Sequence, residues 1–96
     1  MPMLSLPAEL TQIQARSCLG ALGQGLRAAA DATVVVDASA LQRFDSAALA
    51  VLLELRRQSL ALGKTFAVAH MPARLADLAT LYGIGELLTA APKLPA

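Results

Sequence analysis

Hydrophobic residues along this chain form two kinds of run, and the alternation of these runs predicts the order of strands and helices. Val34–Asp37 and Thr65–Ala69 are short and nearly continuous, as buried strands are. Each is followed by a longer segment in which apolar residues recur every three or four positions, the spacing of a helix with one buried face. The two strand–loop–helix units, Thr33–Leu62 and Lys64–Gly83, therefore predict parallel neighbouring strands joined by right-handed crossovers.

The N-terminal third predicts a short strand, a second brief pairing and a helix. Met3–Leu6 is the first strand, and Pro7 ends it because proline cannot donate to a strand ladder. Glu9–Leu10 is the brief pairing, and Thr11 is the expected N-cap of the helix. Three glycines either permit close packing of this helix or end it early, because each weakens it by up to about 1 kcal/mol. The expected buried stripe is Ala15, Leu19, Leu22 and Leu26, and the glycines are Gly20, Gly23 and Gly25.

The helix predicted from Ser46 to Leu62 has more apolar residues than one stripe can hold. It ends before Gly63, because glycine suits the left-handed conformation at a helix end. One set of leucines is expected to face the sheet, and a second apolar set is expected on other sides of the helix, where a partner would approach. The first set is Leu49, Leu52, Leu53 and Leu60, and the second is Ala47, Ala50, Val51 and Leu55.

The last third predicts one more helix and an irregular end. Pro72 suits the first position of this helix, and Gly83 ends it. Glu86–Leu88 is either a short strand or a helical turn, and Ala90–Ala96 is expected to be a loose tail. The apolar stripe of the helix is Leu75, Leu78, Ala79 and Tyr82.

The composition limits the class of the protein. The 96 residues suffice for one core only, so residues 1–96 are expected to form one domain, with its core in residues 4–88. The hydrophobic share of 56% is above the usual range, which suggests that a partner covers part of the surface. Eight basic and seven acidic residues nearly cancel and form no basic stripe, which argues against a nucleic-acid role.

Other features predict a soluble cytoplasmic protein. The longest run without charge, Ser17–Leu26, has about half the length of a membrane span. The apolar residues at the N-terminus lack the preceding positive charge of a signal peptide. Cys18 is the only cysteine and His70 the only histidine, so we expect neither an internal disulfide nor a structural zinc site, and no cofactor.

The helix start at Asp45-Ser46 is the strongest functional candidate. Both side chains are good N-caps, since their oxygens accept hydrogen bonds from the first N–H groups of a helix. The same N–H groups and the helix dipole favour added negative charge. Ser46 is therefore either an N-cap only, a phosphorylated residue or the centre of a docking surface. Asp45 either shares the capping or holds the loop by bonding its own backbone.

Neighbouring residues extend this candidate surface. Arg43 and Phe44 precede the helix, and Phe44 is either a hydrophobic staple against the helix or an anchor for a partner. Ala47 and Ala50 are small enough to let another protein's backbone approach closely. At the end of the buried strand, Asp37 is expected to order the following loop, together with Ser39, through hydrogen bonds.

No catalytic set emerges from the sequence. A nucleophilic serine needs a base within reach, and His70 belongs to a different loop from Ser46, with no Asp, Glu or Cys near it in sequence. Paired carboxylates for acid–base chemistry are also missing. We therefore expect a protein that is not an enzyme.

These motifs resemble those of the STAS domain, the fold shared by anti-sigma-factor antagonists and the cytoplasmic tails of sulfate transporters. In that family a buried strand ends in Asp-Leu/Ala-Ser, and after a loop Asp-Ser/Thr-x-Gly-Leu opens a leucine-rich helix. The corresponding residues are Asp37-Ala38-Ser39 and Asp45-Ser46-Ala47-Ala48-Leu49. The resemblance implies an α/β fold with a mixed sheet of about four to five strands and helices packed mainly on one side.

Within the family, Leu6–Leu10 and Leu78–Tyr82 most resemble the small STAS subunit of the Mla-type ABC transporter, which moves phospholipid between the two membranes of Gram-negative bacteria. This implies a non-enzymatic subunit whose Ser46 helix faces the transporter ATPase at the inner face of the inner membrane. The alternative is an anti-sigma factor antagonist in which a kinase modifies Ser46 and so controls binding to an anti-sigma factor. Ala48, which replaces the usual glycine, argues against tight docking of that second kind of partner. A third class, small-ligand binding, has no supporting motif.

Overall fold

A computed structural model describes residues 3–88, so the tail expected at Ala90–Ala96 lies outside the described residues. Strands and helices are interspersed along this part of the chain, as expected for an α/β protein. The elements are β1 (Met3–Ser5), β2 (Glu9–Leu10), α1 (Ala15–Ala28), β3 (Thr33–Asp37), β4 (Arg43–Phe44), α2 (Ser46–Ala61), β5 (Thr65–Ala69), α3 (Ala73–Leu81) and α4 (Gly85–Leu88).

The strands form two sheets. β3 is the centre of the main sheet and pairs in parallel with β1 on one side and β5 on the other, which confirms the predicted parallel neighbours. β2 and β4 form a separate parallel ladder, in which Glu9 pairs with Arg43 and Leu10 with Phe44. Instead of one mixed sheet of four to five strands, residues 3–88 therefore contain a three-stranded and a two-stranded sheet, with parallel pairs only.

The main sheet is buried chiefly on one face. In β3, Val34 and Val36 are buried, whereas Val35 between them is half-buried. Val34 pairs with Phe66 and Val36 with Val68, so these four side chains form one apolar face. All four belong to the hydrophobic core that the helices complete. The alternation in β3 therefore indicates that the helices lie mainly on this side, as expected.

α1 begins later than predicted and is not interrupted by its glycines. Its N-cap is Gln14 rather than Thr11, because the Thr11 carbonyl accepts hydrogen bonds from residues 14 and 15 and so closes a separate turn. The helix continues to Ala28, so an early end is excluded. A Cβ atom on Gly25 would lie 3.0 Å from Cδ2 of Leu4 in β1, which explains the need for a small residue there. The predicted stripe packs against the core, with Leu26 buried and Ala15, Leu19 and Leu22 half-buried.

A long-range contact holds the end of α1. The ammonium group of Lys64, directly before β5, donates to the carbonyl oxygens of Ala29 (2.7 Å) and Asp31 (2.6 Å). Ala29 is the C-cap of α1, and the carbonyl groups at a helix end lack partners within the helix. A backbone hydrogen bond from Thr65 to Ala32 (2.9 Å) closes the same connection.

α2 is buried over a wider arc than predicted. Leu49 and Leu52 are buried as expected, but Val51 and Leu55 are also buried, with 2% and 0% exposure. Leu60, predicted to face the sheet, is 48% exposed in the last turn. The prediction is wrong for Val51 and Leu55 because α2 packs against α1 as well as β5, so its buried arc extends beyond one sheet-facing stripe. It is also wrong for Leu60, which is exposed next to the C-terminal end of α2.

The ends of α2 and α3 follow the glycine signals. Gly63 and Gly83 have φ values of +76° and +74°, in the left-handed region that favours glycine. Pro72 is the N-cap of α3 and not its first helical residue. Tyr82 is wrongly predicted in the apolar stripe, because it is the C-cap and is 58% exposed. Glu86–Leu88, predicted as either a short strand or a helical turn, belongs to the short helix α4.

Two leucine variants test the buried arc of α2. Leu55→Ala should lower the free energy of unfolding by about 2–5 kcal/mol, because it removes a fully buried side chain and leaves a cavity. Leu60→Ala removes the same atoms from the exposed part of the same helix and should cost less than about 1 kcal/mol. Urea denaturation measures both values, and equal losses would contradict the described arc.

Candidate functional site

Asp45 caps the first turn of α2. Its backbone is extended (φ −131°), and its Oδ1 accepts a hydrogen bond from the Ala47 N–H at 2.8 Å. Ser46 is the first helical residue, and its side chain is exposed. Of the two capping candidates, the structure gives the cap to Asp45 and leaves the Ser46 hydroxyl on the surface.

The Asp45 carboxylate also connects two parts of the chain. Its Oδ2 accepts a hydrogen bond at 3.3 Å from the N–H of Gln12, in the turn between β2 and α1. The backbone makes a parallel connection, because the N–H groups of Gln42 and Arg43 donate to the Ala8 carbonyl at 2.8 and 2.9 Å. The start of α2 and the β2–α1 turn are therefore one continuous surface.

β4 presents Arg43 to solvent and holds Phe44 against the core. The Arg43 side chain is 78% exposed and lies 3.9 Å from Glu9, a weak surface ion pair. Phe44 is half-buried, and the guanidinium carbon of Arg74 lies 5.6 Å from the centre of its ring, within cation–π range. An open groove beside this pair is lined by Phe44, Arg74, Asp77, Leu78 and Leu81.

Small side chains occupy the outer side of the first two turns of α2. Ala50 is exposed and Ala47 is half-buried. Ala48, between them, is fully buried in the core. The outer side of the helix start therefore carries Ser46, Ala47 and Ala50. Their side chains are short, so a neighbouring molecule can approach the helix backbone closely.

Asp37 and Ser39 order the loop after β3. Asp37 Oδ1 accepts a hydrogen bond from the Ser39 N–H, and Oδ2 accepts one from the Ser39 hydroxyl, both at 3.0 Å. These hydrogen bonds, first the backbone one and then the side-chain one, lower the pKa of Asp37 because they favour its charged form. The imidazole of His70 lowers the same pKa by a smaller amount.

The contact between His70 and Asp37 is not predicted from the sequence. Nδ1 of His70 lies 3.4 Å from Asp37 Oδ1, although the two residues are 33 positions apart. The register of the main sheet pairs Asp37 with Ala69, and this places His70 at the same sheet edge. The available signal was that two adjacent parallel strands end together there. His70 also has φ +57°, a conformation uncommon for residues other than glycine.

Within residues 3–88, no three His, Cys, Asp or Glu side chains come together in a group that could hold a metal ion. Among the helices of these residues, none combines the length and the apolar character that crossing a bilayer requires. Cys18 on α1 is half-buried, and this burial raises the pKa of its thiol.

Comparison of the sequence with known protein families assigns the chain to one of them. A family model described as "Mlab, STAS domain" matches residues 1–89. The chain belongs to the STAS domain family. Among solved structures, the anti-sigma factor antagonist SpoIIAA in its unphosphorylated form has a similar fold, with a TM-score of 0.73 and 15% sequence identity. The match covers 95% of this chain and 79% of SpoIIAA. No curated protein matches the chain in sequence.

The family assignment confirms the resemblance and the STAS-like α/β fold. Asp37-Ala38-Ser39 ends the central strand of this STAS domain, and Asp45–Leu49 opens α2. The methyl group of Ala48, where the family usually has glycine, is inside the core, so this departure leaves the outer surface unchanged. The site roles of individual residues remain predictions: partner binding by Arg43, Phe44, Asp45, Ser46, Ala47 and Ala50, and phosphorylation of Ser46.

Two variants test which residue caps α2. Asp45→Ala should lower the free energy of unfolding by about 0.5–2 kcal/mol, because it removes the acceptor for the Ala47 N–H. Ser46→Ala should change it by no more than about 0.5 kcal/mol, because an exposed hydroxyl is removed. Thermal unfolding of both variants measures the difference, and the opposite order would assign the cap to Ser46.

Proposed function

We propose that this STAS domain is a non-enzymatic subunit that binds the cytoplasmic ATPase of a phospholipid-trafficking ABC transporter of the Mla type and stabilises or regulates it. The description of the matching family model, which names Mlab, supports this branch of the family. The resemblance of Leu6–Leu10 and Leu78–Tyr82 to the transporter subunit supports it further. In this role the domain lies in the cytoplasm at the inner face of the inner membrane, and it reaches the membrane only through the transporter complex.

The exposed outer side of the first two turns of α2 is the observation that carries the proposal. Ser46 and Ala50 are both exposed there, and their small side chains allow the backbone of a partner to approach closely. The hydrogen bonds of Asp45 fix the first turn of α2, so little conformational freedom is lost when a partner binds there. Arg43, at the edge of the turn, is exposed and able to pair with a carboxylate of the ATPase.

The arrangement of Ser39, Asp37 and His70 supports a non-enzymatic role. The three residue types are those of a hydrolase triad, but their order in space differs. The Ser39 hydroxyl donates to Asp37, and the imidazole contacts the same carboxylate. A nucleophilic serine is instead activated by a histidine that lies next to it. These contacts are those of a structured loop.

An anti-sigma factor antagonist is the second candidate. It is favoured by the fold similarity to SpoIIAA, which is such an antagonist, together with the exposed Ser46 hydroxyl. A phosphate on Ser46 would add about −1.5 to −2 charges beside Asp45, near the N–H groups of the first turn. The domain would stay folded, whereas an interface built around a neutral hydroxyl would be lost.

Substitutions in the first turns of α2 test the docking surface. Ser46→Arg should abolish binding to the ATPase without unfolding the domain, because a long cation would replace a small hydroxyl at the surface. Ala50→Glu should weaken binding steeply, since the interface would bury an unpaired charge. Its effect on stability should stay within about 0.5 kcal/mol, because Ala50 is exposed. Co-purification with the ATPase and a thermal melt measure the two effects.

Ala21→Glu is the matched control for Ala50→Glu. Ala21 is exposed on α1, so the same substitution there should leave both binding and the melting temperature unchanged. Unchanged binding by the folded Ser46→Arg variant would contradict the docking surface. A large loss of stability in Ala50→Glu would instead place this alanine in the core.

The phosphorylation state separates the two candidate functions. The transporter role does not require a modified Ser46, so the intact mass of the protein purified from its native host should show no added phosphate. Mass spectrometry of the proteins that co-purify should find the transporter ATPase. A substantial species heavier by one phosphate, together with an anti-sigma factor among those proteins, would favour the second candidate.

A further inference from the structure

Ile13 is the most exposed of the large apolar side chains whose burial the structure describes. It lies in the turn between β2 and α1 and is 84% exposed, compared with 77% for Leu81 and 58% for Tyr82. One exposed aliphatic side chain is common on a protein surface and has no meaning by itself. Ile13 differs from an ordinary surface residue in the rigidity of its turn and in the position of that turn.

Hydrogen bonds hold the turn on both sides of Ile13. Gln14 Oε1 accepts from the N–H of Thr11 at 2.9 Å and from its hydroxyl at 2.7 Å. The Thr11 Oγ1 accepts in turn from the Ile13 N–H at 3.3 Å. The polar groups around Ile13 therefore bond to one another and fix the backbone. The aliphatic side chain of Ile13 is directed towards solvent.

The turn is attached to the start of α2. Gln12 donates its N–H to Oδ2 of Asp45, and the other carboxylate oxygen of Asp45 caps α2. A surface depression spans the two segments and is lined by Gln12, Ile13, Gln14, Arg43 and Asp45, among others. Ile13 is thus part of the same rigid surface as the first turn of α2.

We infer that Ile13 is an apolar anchor that the ATPase buries in a hydrophobic pocket. This inference rests on the proposed function and extends the docking surface from α2 across the β2–α1 turn. A buried apolar anchor within a ring of polar residues is the arrangement of an interface hot spot, where the ring excludes water. Because the turn is already ordered, little conformational freedom is lost when it binds. The ATPase is therefore expected to have an aliphatic pocket next to the surface that meets Ser46.

Ile13→Gln tests the anchor without adding charge. Its dissociation constant for the purified ATPase subunit, measured by calorimetry, should rise roughly 10- to 100-fold, the effect of losing one buried aliphatic side chain. Ile13→Val keeps most of the apolar surface and should bind within about fivefold of the unaltered domain. The melting temperature of both variants should be unchanged, because Ile13 is exposed in the isolated domain.

Leu60→Gln is the matched control. Leu60 is also exposed, in the last turn of α2, roughly 20 Å along the helix from Ser46, so this variant should bind like the unaltered domain. If Ile13→Gln binds normally while Ser46→Arg does not bind, the anchor is wrong and the proposed function stands. Equal weakening by Ile13→Gln and Leu60→Gln would also overturn the anchor. If the unaltered domain does not bind the ATPase, the proposed function fails and the anchor fails with it.

Discussion

The burial of one broad face of α2 is the constraint on which the rest of the structure depends. α1, β5, α3 and α4 all contact this helix, so its inner arc positions most of the domain. Substitutions on that arc affect the core, and only the outer arc can change without loss of stability. Ser46 and Ala50 belong to the outer arc. The helix that organises the core therefore also carries the candidate docking surface. Because the inner arc of α2 is held by the core, the docking surface on its outer arc is held in place as well.

Much of the fold could be predicted because it depends on local patterns. The buried strands and the helix ends at Gly63 and Gly83 follow from a few adjacent residues. The parallel pairing follows from the order of strands and helices along the chain. The buried side of a helix could not be predicted in the same way, because it depends on what packs against the helix. α2 meets a second helix as well as the sheet, and this makes Leu55 a core residue. Tyr82 is not part of the buried stripe of α3, because the helix ends at Leu81, one residue before it.

At the candidate site, the sequence indicated the important residues but not how they divide their roles. Asp45 and Ser46 are equally suitable caps by residue type, and the extended backbone of Asp45 decides between them. Two further contacts depend on strand register and loop placement, which no local pattern encodes. One joins His70 to Asp37, and the other joins Gln12 to Asp45, each across 33 positions of the chain. The second contact gives Ile13 its place beside α2.

The position of Lys64 has a consequence for how the chain acquires its structure. The carbonyl groups of Ala29, the C-cap of α1, and of Asp31 just after it accept hydrogen bonds from a side chain that immediately precedes β5, far along the chain. β5 also covers one edge of β3. A nascent chain that has completed α2 but not β5 would lack both the donor for these carbonyls and the second neighbour of the central strand. The first half of the domain is therefore completed by its second half, which favours cooperative folding over independent folding of the two halves.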